Sequence, residues 1–198
     1  MKHIRILGLL TLAAVAMTAF VGTSSSSAAK FTAGKVGAKI GETTIWNHVV
    51  TVTGSSTSCS EISLAGSTEA LEKETQKLVP SYAGCTAFGF SASVNTFGCT
   101  YTFAANGFVT LSGCTSGGIT VTVNNIFAKC VVQIPNQTFI GVFYTNGVGL
   151  YVTFNSFLSD EVKESSGLCP LTVGKHSNAS YTGESKLLAE GTYLSWDA

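Results

Sequence analysis

The sequence predicts an all-β fold, an antiparallel β-sandwich or flattened barrel stapled by three disulfides. Short runs of apolar residues alternating with Ser and Thr recur along the chain, and turn dipeptides separate them. All six cysteines follow an N-terminal export signal, and an even number in an exported chain reads as a disulfide framework.

The export signal is residues 1–29. Lys2 and Arg5 form a basic start, and Ile6 to Val21 is apolar. Ser27 and Ala29 supply the small residues that a signal peptidase accepts. The apolar run is shorter than the roughly 20 residues needed to span a bilayer. No later stretch is long and apolar enough to do so, and no Cys near the cleavage point could carry a lipid. Residues 30–198 remain, a length that suits one all-β domain working outside the cell or in its envelope.

The expected strands, in order, are 46–53 (WNHVVTVT), 88–94 (FGFSASV), 99–103 (CTYTF), 108–111 (FVTL) and 119–123 (ITVTV), followed by 129–134 (KCVVQI), 139–144 (FIGVFY), 149–154 (GLYVTF) and 192–196 (TYLSW). Each is rich in β-branched or aromatic residues. Such spacing points to a sandwich or barrel of roughly a dozen strands. Asn106-Gly107 and Asn146-Gly147 lie where two-residue hairpin turns are expected, and Glu190-Gly191 offers a third. Residues 68–78 (TEALEKETQKL) read equally as a helix, with Glu69 and Lys73 at i, i+4, or as a charged edge strand leading to Cys85.

The six cysteines are Cys59, Cys85, Cys99, Cys114, Cys130 and Cys169. None forms a C-x-x-C pair, so a zinc site is not expected. A two-residue turn at Asn106-Gly107 sets Phe103 opposite Thr110, Tyr101 opposite Ser112 and Cys99 opposite Cys114. A bulge at Gly98 or Gly113 would adjust the half-cystines. Neighbours in sequence then suggest Cys59–Cys85 and Cys130–Cys169. Gly-Cys-Thr occurs at 84–86, 98–100 and 113–115, and Gly lets backbones approach closely beside a disulfide.

The export signal, Phe31-Thr32-Ala33-Gly34-Lys35-Val36-Gly37, Gly84-Cys85-Thr86-Ala87-Phe88-Gly89 and Leu168-Cys169-Pro170-Leu171 together resemble a set of exported, cysteine-containing all-β proteins of soil actinobacteria that has no defined function. The resemblance covers most of the chain after the signal. Its motifs are structural, so it implies export and β structure and no catalytic residue.

After residue 29 the chain has nine Lys, no Arg and eleven acidic residues, a formal charge of −2. Without Arg to grip phosphate, nucleic acid is not an expected partner. No hydrolase motif, calcium loop or phosphate loop is present, and no cofactor or metal is expected. The candidate acid–base groups are His48, His176, Asp160, Asp197, Glu42 and Glu61. The acidic clusters Glu69–Glu74 and Asp160, Glu161 and Glu164 read as solvated faces. His48, in a strand, is expected to face solvent or a hydrogen-bond partner, and His176 to lie in a loop. Trp46, Trp196, Tyr101, Tyr144, Tyr151, Tyr181 and Tyr193 could stack on sugar rings. Asn136 and Asn178 head N-x-[ST] sequons.

The expected function is a non-enzymatic extracellular role, binding a polymer or a partner protein on a sheet face or at loop tips. The alternatives are a secreted hydrolase with a dispersed site and a self-assembling surface protein. A deep cleft holding His beside an acid would favour the hydrolase. An aromatic-lined face would favour the binding module.

Overall fold

The structure, a computed structural model, describes residues 28–198. The expected signal peptide, residues 1–29, falls almost wholly outside them.

The first strands are β1 Lys30–Ala33, β2 Lys39–Val52, β3 Ser55–Ser67, β4 Glu72–Lys73, β5 Thr75–Ala87 and β6 Phe90–Ser91. Then come β7 Ser93–Asn95, β8 Thr100–Ala104, β9 Phe108–Ser112, β10 Gly118–Asn124 and β11 Ala128–Pro135. The last are β12 Gln137–Ile140, β13 Val142–Gly147, β14 Gly149–Gly167, β15 Gly174–Ala189 and β16 Leu194–Asp197. Every pairing among them is antiparallel. The fold class is therefore all-β, a curled antiparallel sheet with three disulfides.

The main sheet runs β12-β9-β8-β5-β3-β2-β15-β14-β11-β10-β7, with β13 on β14 and β6 on β5. Its curl nearly closes. β6 pairs with β5 while β7, a residue further along the same run, pairs with β10. Closure removes exposed edges. At the other end, the Gln137 side chain acts as a ladder partner for Ser159, donating to its carbonyl at 2.8 Å and accepting from its N–H at 2.9 Å. Alternation fills the interior: Leu150, Val152 and Phe154 of β14 point in, and Tyr151, Thr153 and Asn155 point out. Phe103 meets Phe154 edge-on at 6.0 Å between ring centroids.

A second sheet, β16-β1-β4, caps one end. Phe31 of β1 packs on Tyr144 at 5.0 Å. The Asn146 side chain bonds the Trp196 backbone twice, donating to its carbonyl at 2.7 Å and accepting from its N–H at 2.8 Å.

The disulfides are Cys59–Cys85, Cys99–Cys114 and Cys130–Cys169. The first links directly opposed residues of β3 and β5. The second joins its expected partners through a different register. Phe103 faces Val109 and Tyr101 faces Leu111, one residue away from the expected pairing. The reason is the turn. Gly107 adopts φ 87° but Asn106 keeps a negative φ. A type I′ turn needs both positive, so the loop is three residues long, with Gly107 as the bulge. A second irregularity restores the half-cystines beyond the ladder's end. Gly98 and Gly113 both have positive φ and approach so closely that a Cβ on either would lie 2.9 Å from the other's carbonyl oxygen. The Cα atoms of Cys99 and Cys114 are then 4.0 Å apart, not in the wider hydrogen-bonded class.

Two further expectations are corrected, and one open alternative is resolved. The β13–β14 hairpin turns at Val148, because Gly147 faces Gly149, and Asn146 is spent on Trp196. Glu190-Gly191 makes a turn but no hairpin, since β16 leaves to pair with β1. Residues 68–78 are not helical: β4 is an edge strand on β1 and β5 lies inside the main sheet, although the Glu69–Lys73 ion pair does form.

Candidate functional site

The site is built on β2, β15 and β14, whose two faces carry different chemistry. On the inner face, His48 lies directly over Gly183 of β15, where a Cβ would come within 2.7 Å of the ring. Its Nδ1 is 2.7 Å from the Tyr181 hydroxyl, and its Nε2 is 3.0 Å from the Ser185 hydroxyl. The Tyr82 hydroxyl is 3.1 Å from that of Tyr181 and 2.9 Å from that of Tyr101. His48 is 2% exposed and Ser185 not at all. Burial lowers the His48 pKa to about 4 and pushes those of Tyr82, Tyr101 and Tyr181 well up. A small apolar cavity of about 30 Å³ adjoins these rings, with room for about one water.

Glu42 lies six residues before His48 on β2, opposite Leu187 of β15. Its carboxylate oxygens are buried and close no hydrogen bond of good geometry. Burial raises its pKa to about 6, while the neighbouring Ser185 and Thr44 hydroxyls pull the other way. Here β2 separates from β3, pairing at Ile40 and again only at His48. The Thr44 hydroxyl fills the breach. It accepts from the Ile62 N–H at 2.9 Å and donates to the Ile62 carbonyl at 3.4 Å.

The same strand turns Trp46 outward. Counting by twos from His48 would place Trp46 in the core with it. Instead, the β2–β15 register slips on both sides of the Trp46–Glu184 pair. Each bulge adds one residue to β2 and flips the side chain between faces. Trp46 ends 67% exposed, while Thr44 and His48 stay on the inner side.

Outward-facing residues therefore lie in rows across the strands. Phe143, Thr153, Glu184 and Trp46 form one, and Asn155, Thr182 and Val49 the next. Phe157, Ser180 and Thr51 form the row beyond. By strand spacing and rise, Trp46 and Phe157 stand roughly 16 Å apart on this face. Phe157 borders an open cleft of about 560 Å³ that His176, Asn178 and Ser180 also line. Lys175, His176 and Ser177 continue into a compartment of about 320 Å³ that contains Asp160.

Asp160 corrects the expectation of a solvated acidic face. It is 2% exposed, on the inward parity of Leu158 and Val162. Its neighbours do behave as solvated acids: Glu161 pairs with Lys163 at 2.7 Å and Glu164 with Lys129 at 2.6 Å. His176 lies directly opposite Asp160 on β15, in a strand and not a loop, with its Nε2 3.0 Å from the Thr172 carbonyl. Burial raises the Asp160 pKa, against the pull of His176.

The other candidates divide. Tyr101, Tyr144 and Tyr181 are buried, which removes them as sugar platforms. The half-buried Trp196 donates Nε1–H to the Ala105 carbonyl at 2.8 Å. Tyr193 is exposed, but far along the fold beside Val148 and Leu188. Asp197 lies at the Lys30 end of the small sheet and Glu61 faces out of β3. The sequon residues Asn136 and Asn178 are both exposed. Phe143 and Phe157 were missed by sequence reasoning, although both fall on the outward parity of apolar strands. No group of three metal-ligating side chains occurs among the described residues. No family model, curated protein or solved structure matches the chain. The three disulfides fit an oxidising, extracellular setting.

Proposed function

We propose that the protein is an exported binding module, without enzymatic activity, whose outer β2–β15–β14 face holds a hydroxyl-rich polymer chain. The observation that carries this reading is Trp46. A strand that keeps His48 and Thr44 on the inner face uses two bulges to expose the indole, and a large exposed aromatic in a specially aimed position marks an interaction site. Phe143 and Phe157 give further apolar surfaces on the same face. Thr153, Asn155, Thr182 and Ser180 lie between them and offer hydroxyls and an amide suited to neutral sugar hydroxyls. A saccharide chain matches this mixture better than an apolar protein partner, because no continuous apolar patch joins the aromatics.

The Ser185–His48 contact has the geometry of a nucleophile–base pair, which is what a hydrolase reading requires. Both groups are sealed beneath the sheet, so no substrate carbonyl can reach Ser185. Asp160 and His176 do share an open compartment, but His176 spends Nε2 on Thr172.

Affinity electrophoresis in gels containing soluble polysaccharides tests the reading. The wild type is expected to be retarded by at least one neutral glucan, mannan or xylan. Trp46→Ala should abolish the retardation and Phe157→Ala weaken it. Equal mobility of wild type and Trp46→Ala in every retarding gel would overturn the proposal.

A further inference from the structure

The far end of β11 and β14 carries an inference independent of the Trp46 face. The last β14–β15 pair is at Val162, whereas β14 stays paired with β11 as far as Gly167 opposite Ala128, so these strand ends stand clear of β15. The β10–β11 turn, residues 125–127, and the first residues after β14 form a tip. Ile126 at its apex is 90% exposed, and Phe127, Leu168 and Pro170 beside it are exposed as well. These side chains are held outward by a built scaffold. The Phe127 carbonyl accepts from the Leu168 N–H at 2.9 Å, and Gly167, with φ 64°, passes so close that a Cβ there would collide with that oxygen. The Cys130–Cys169 disulfide ties the two segments together behind the tip.

We propose that this tip inserts into the interfacial layer of a lipid bilayer with zwitterionic headgroups. Lipid withdraws water from the backbone, so an inserted turn has to pair its polar groups within itself. The Asn125 side chain accepts from the N–H groups of Phe127 at 2.8 Å and Ala128 at 3.0 Å, and the Asn125 N–H donates to the Ala128 carbonyl at 3.0 Å. No charged residue occurs in 124–128 or 165–174. The charges begin immediately behind, where Lys129 pairs with Glu164 at 2.6 Å and Lys163 with Glu161 at 2.7 Å. Lys129 is three residues behind Ile126, at most about 10 Å by strand rise, which matches the roughly 5–10 Å depth of interfacial elements. The ion pairs then lie at headgroup level, where lysine keeps its ammonium in water. Because each of these lysines is already neutralised by a glutamate, the tip binds by apolar insertion and not by attraction to anionic lipid. A second copy of the chain fits less well. Ile126, Phe127, Leu168 and Pro170 together present at most about 600 Å², short of the about 800 Å² per partner in a stable dimer.

Flotation with phosphatidylcholine vesicles tests this, using the exported protein with its disulfides intact. The wild type should float saturably, and adding phosphatidylglycerol to the vesicles should not tighten binding. Ile126→Ser and Phe127→Ser should each weaken flotation at least tenfold, because burying one large apolar side chain is worth about a factor of ten or more. Unchanged urea midpoints show that these variants fold. Phe127→Trp should still bind, and brominated acyl chains should quench its added indole beyond the wild-type level. Trp46→Ala should float like the wild type, which separates this surface from the polymer-binding face. The proposal fails if the wild type does not float, if Ile126→Ser and Phe127→Ser float as well as it does, if flotation requires phosphatidylglycerol, or if the indole at position 127 escapes quenching. Concentration-dependent dimerisation that Ile126→Ser abolishes, with no flotation of the wild type, would assign the tip to a second copy instead.

Discussion

The His48–Glu42 arrangement predicts an unusual dependence of stability on pH. Folded His48 stays neutral down to about pH 4, against an ordinary value of 6.5. As pH falls from 6.5 to 4, the unfolded chain binds a proton that the folded chain refuses, so stability is lost. At 1.36 kcal/mol for each pH unit separating the two values, the loss is about 3 kcal/mol and stops below pH 4. Glu42 works in the opposite sense. Its folded pKa of about 6 lies above the ordinary 4.5, so its contribution is fully present below 4.5 and lost as pH rises through 6. On acidification from 6 to 4.5 it returns about 2 kcal/mol. These two groups together therefore give a fall from pH 6.5 to 6, a near-plateau from 6 to 4.5, and a second fall to 4. Glu42→Gln removes the plateau. Urea unfolding followed by Trp fluorescence at half-unit pH steps, with disulfides intact, measures this directly. Other carboxylates cancel in the difference between wild type and variant. The variant should lose about 2 kcal/mol more than wild type between pH 6 and 4.5. Parallel stability curves for the two proteins would refute the reasoning, because they would mean that Glu42 titrates alike in both states.

Two other perturbations test the packing. Removing the disulfides one at a time as Cys→Ala pairs should cost about 3, 3.5 and 4 kcal/mol for loops of 15, 26 and 39 residues, in the order Cys99–Cys114, Cys59–Cys85 and Cys130–Cys169. Urea midpoints under non-reducing conditions give the order, and a largest loss for Cys99–Cys114 would contradict the chain-entropy account. Gly183→Ala puts a methyl against the His48 ring and should destabilise by about 1–3 kcal/mol. The displaced imidazole should then titrate nearer 6.5 by proton NMR, and an unshifted titration would show that the ring does not rely on Gly183.

Much of the fold was legible because apolar alternation marks a buried face. β8, β9, β10 and β11 lie within a residue or two of their expected runs. Cys59–Cys85 and Cys130–Cys169 followed from order along the chain, and Cys99–Cys114 from the hairpin around Asn106-Gly107, whose register is one residue away from the expected one. The missed strands share a physical cause. β3, β15 and the second half of β14 are built from Ser, Thr, Gly and charged residues, with few apolar residues to show a period. Their register comes from neighbours already in the sheet, not from local preference. Residues 68–78 were ambiguous for the opposite reason. Helix-favouring residues there were overruled by pairing with β1 and β8, which no local propensity encodes.

The site was legible to different degrees at its two ends. Asp160 could have been found: it alternates with Leu158 and Val162, and the same parity that buries those residues buries the acid between them. Its place among Glu161, Lys163 and Glu164 disguised it as a solvated face, because the charges were read as a block and not by twos. Trp46 could not have been found that way. Parity from His48 buries it, and only the two slips against β15 bring it out. A slip is a property of the pair of strands, set by how β15 spaces Thr182, Glu184 and Ser185 against a longer stretch of β2. Asp160 and Trp46 thus reach their places in opposite ways. One is a charge that obeys the strand period and so goes inside. The other is an indole that breaks the period and so goes outside. Each departure is costly, since one buries an acid without a hydrogen bond and the other gives up two ladder positions, and contact with a polymer on the outer face is what would offset the second cost.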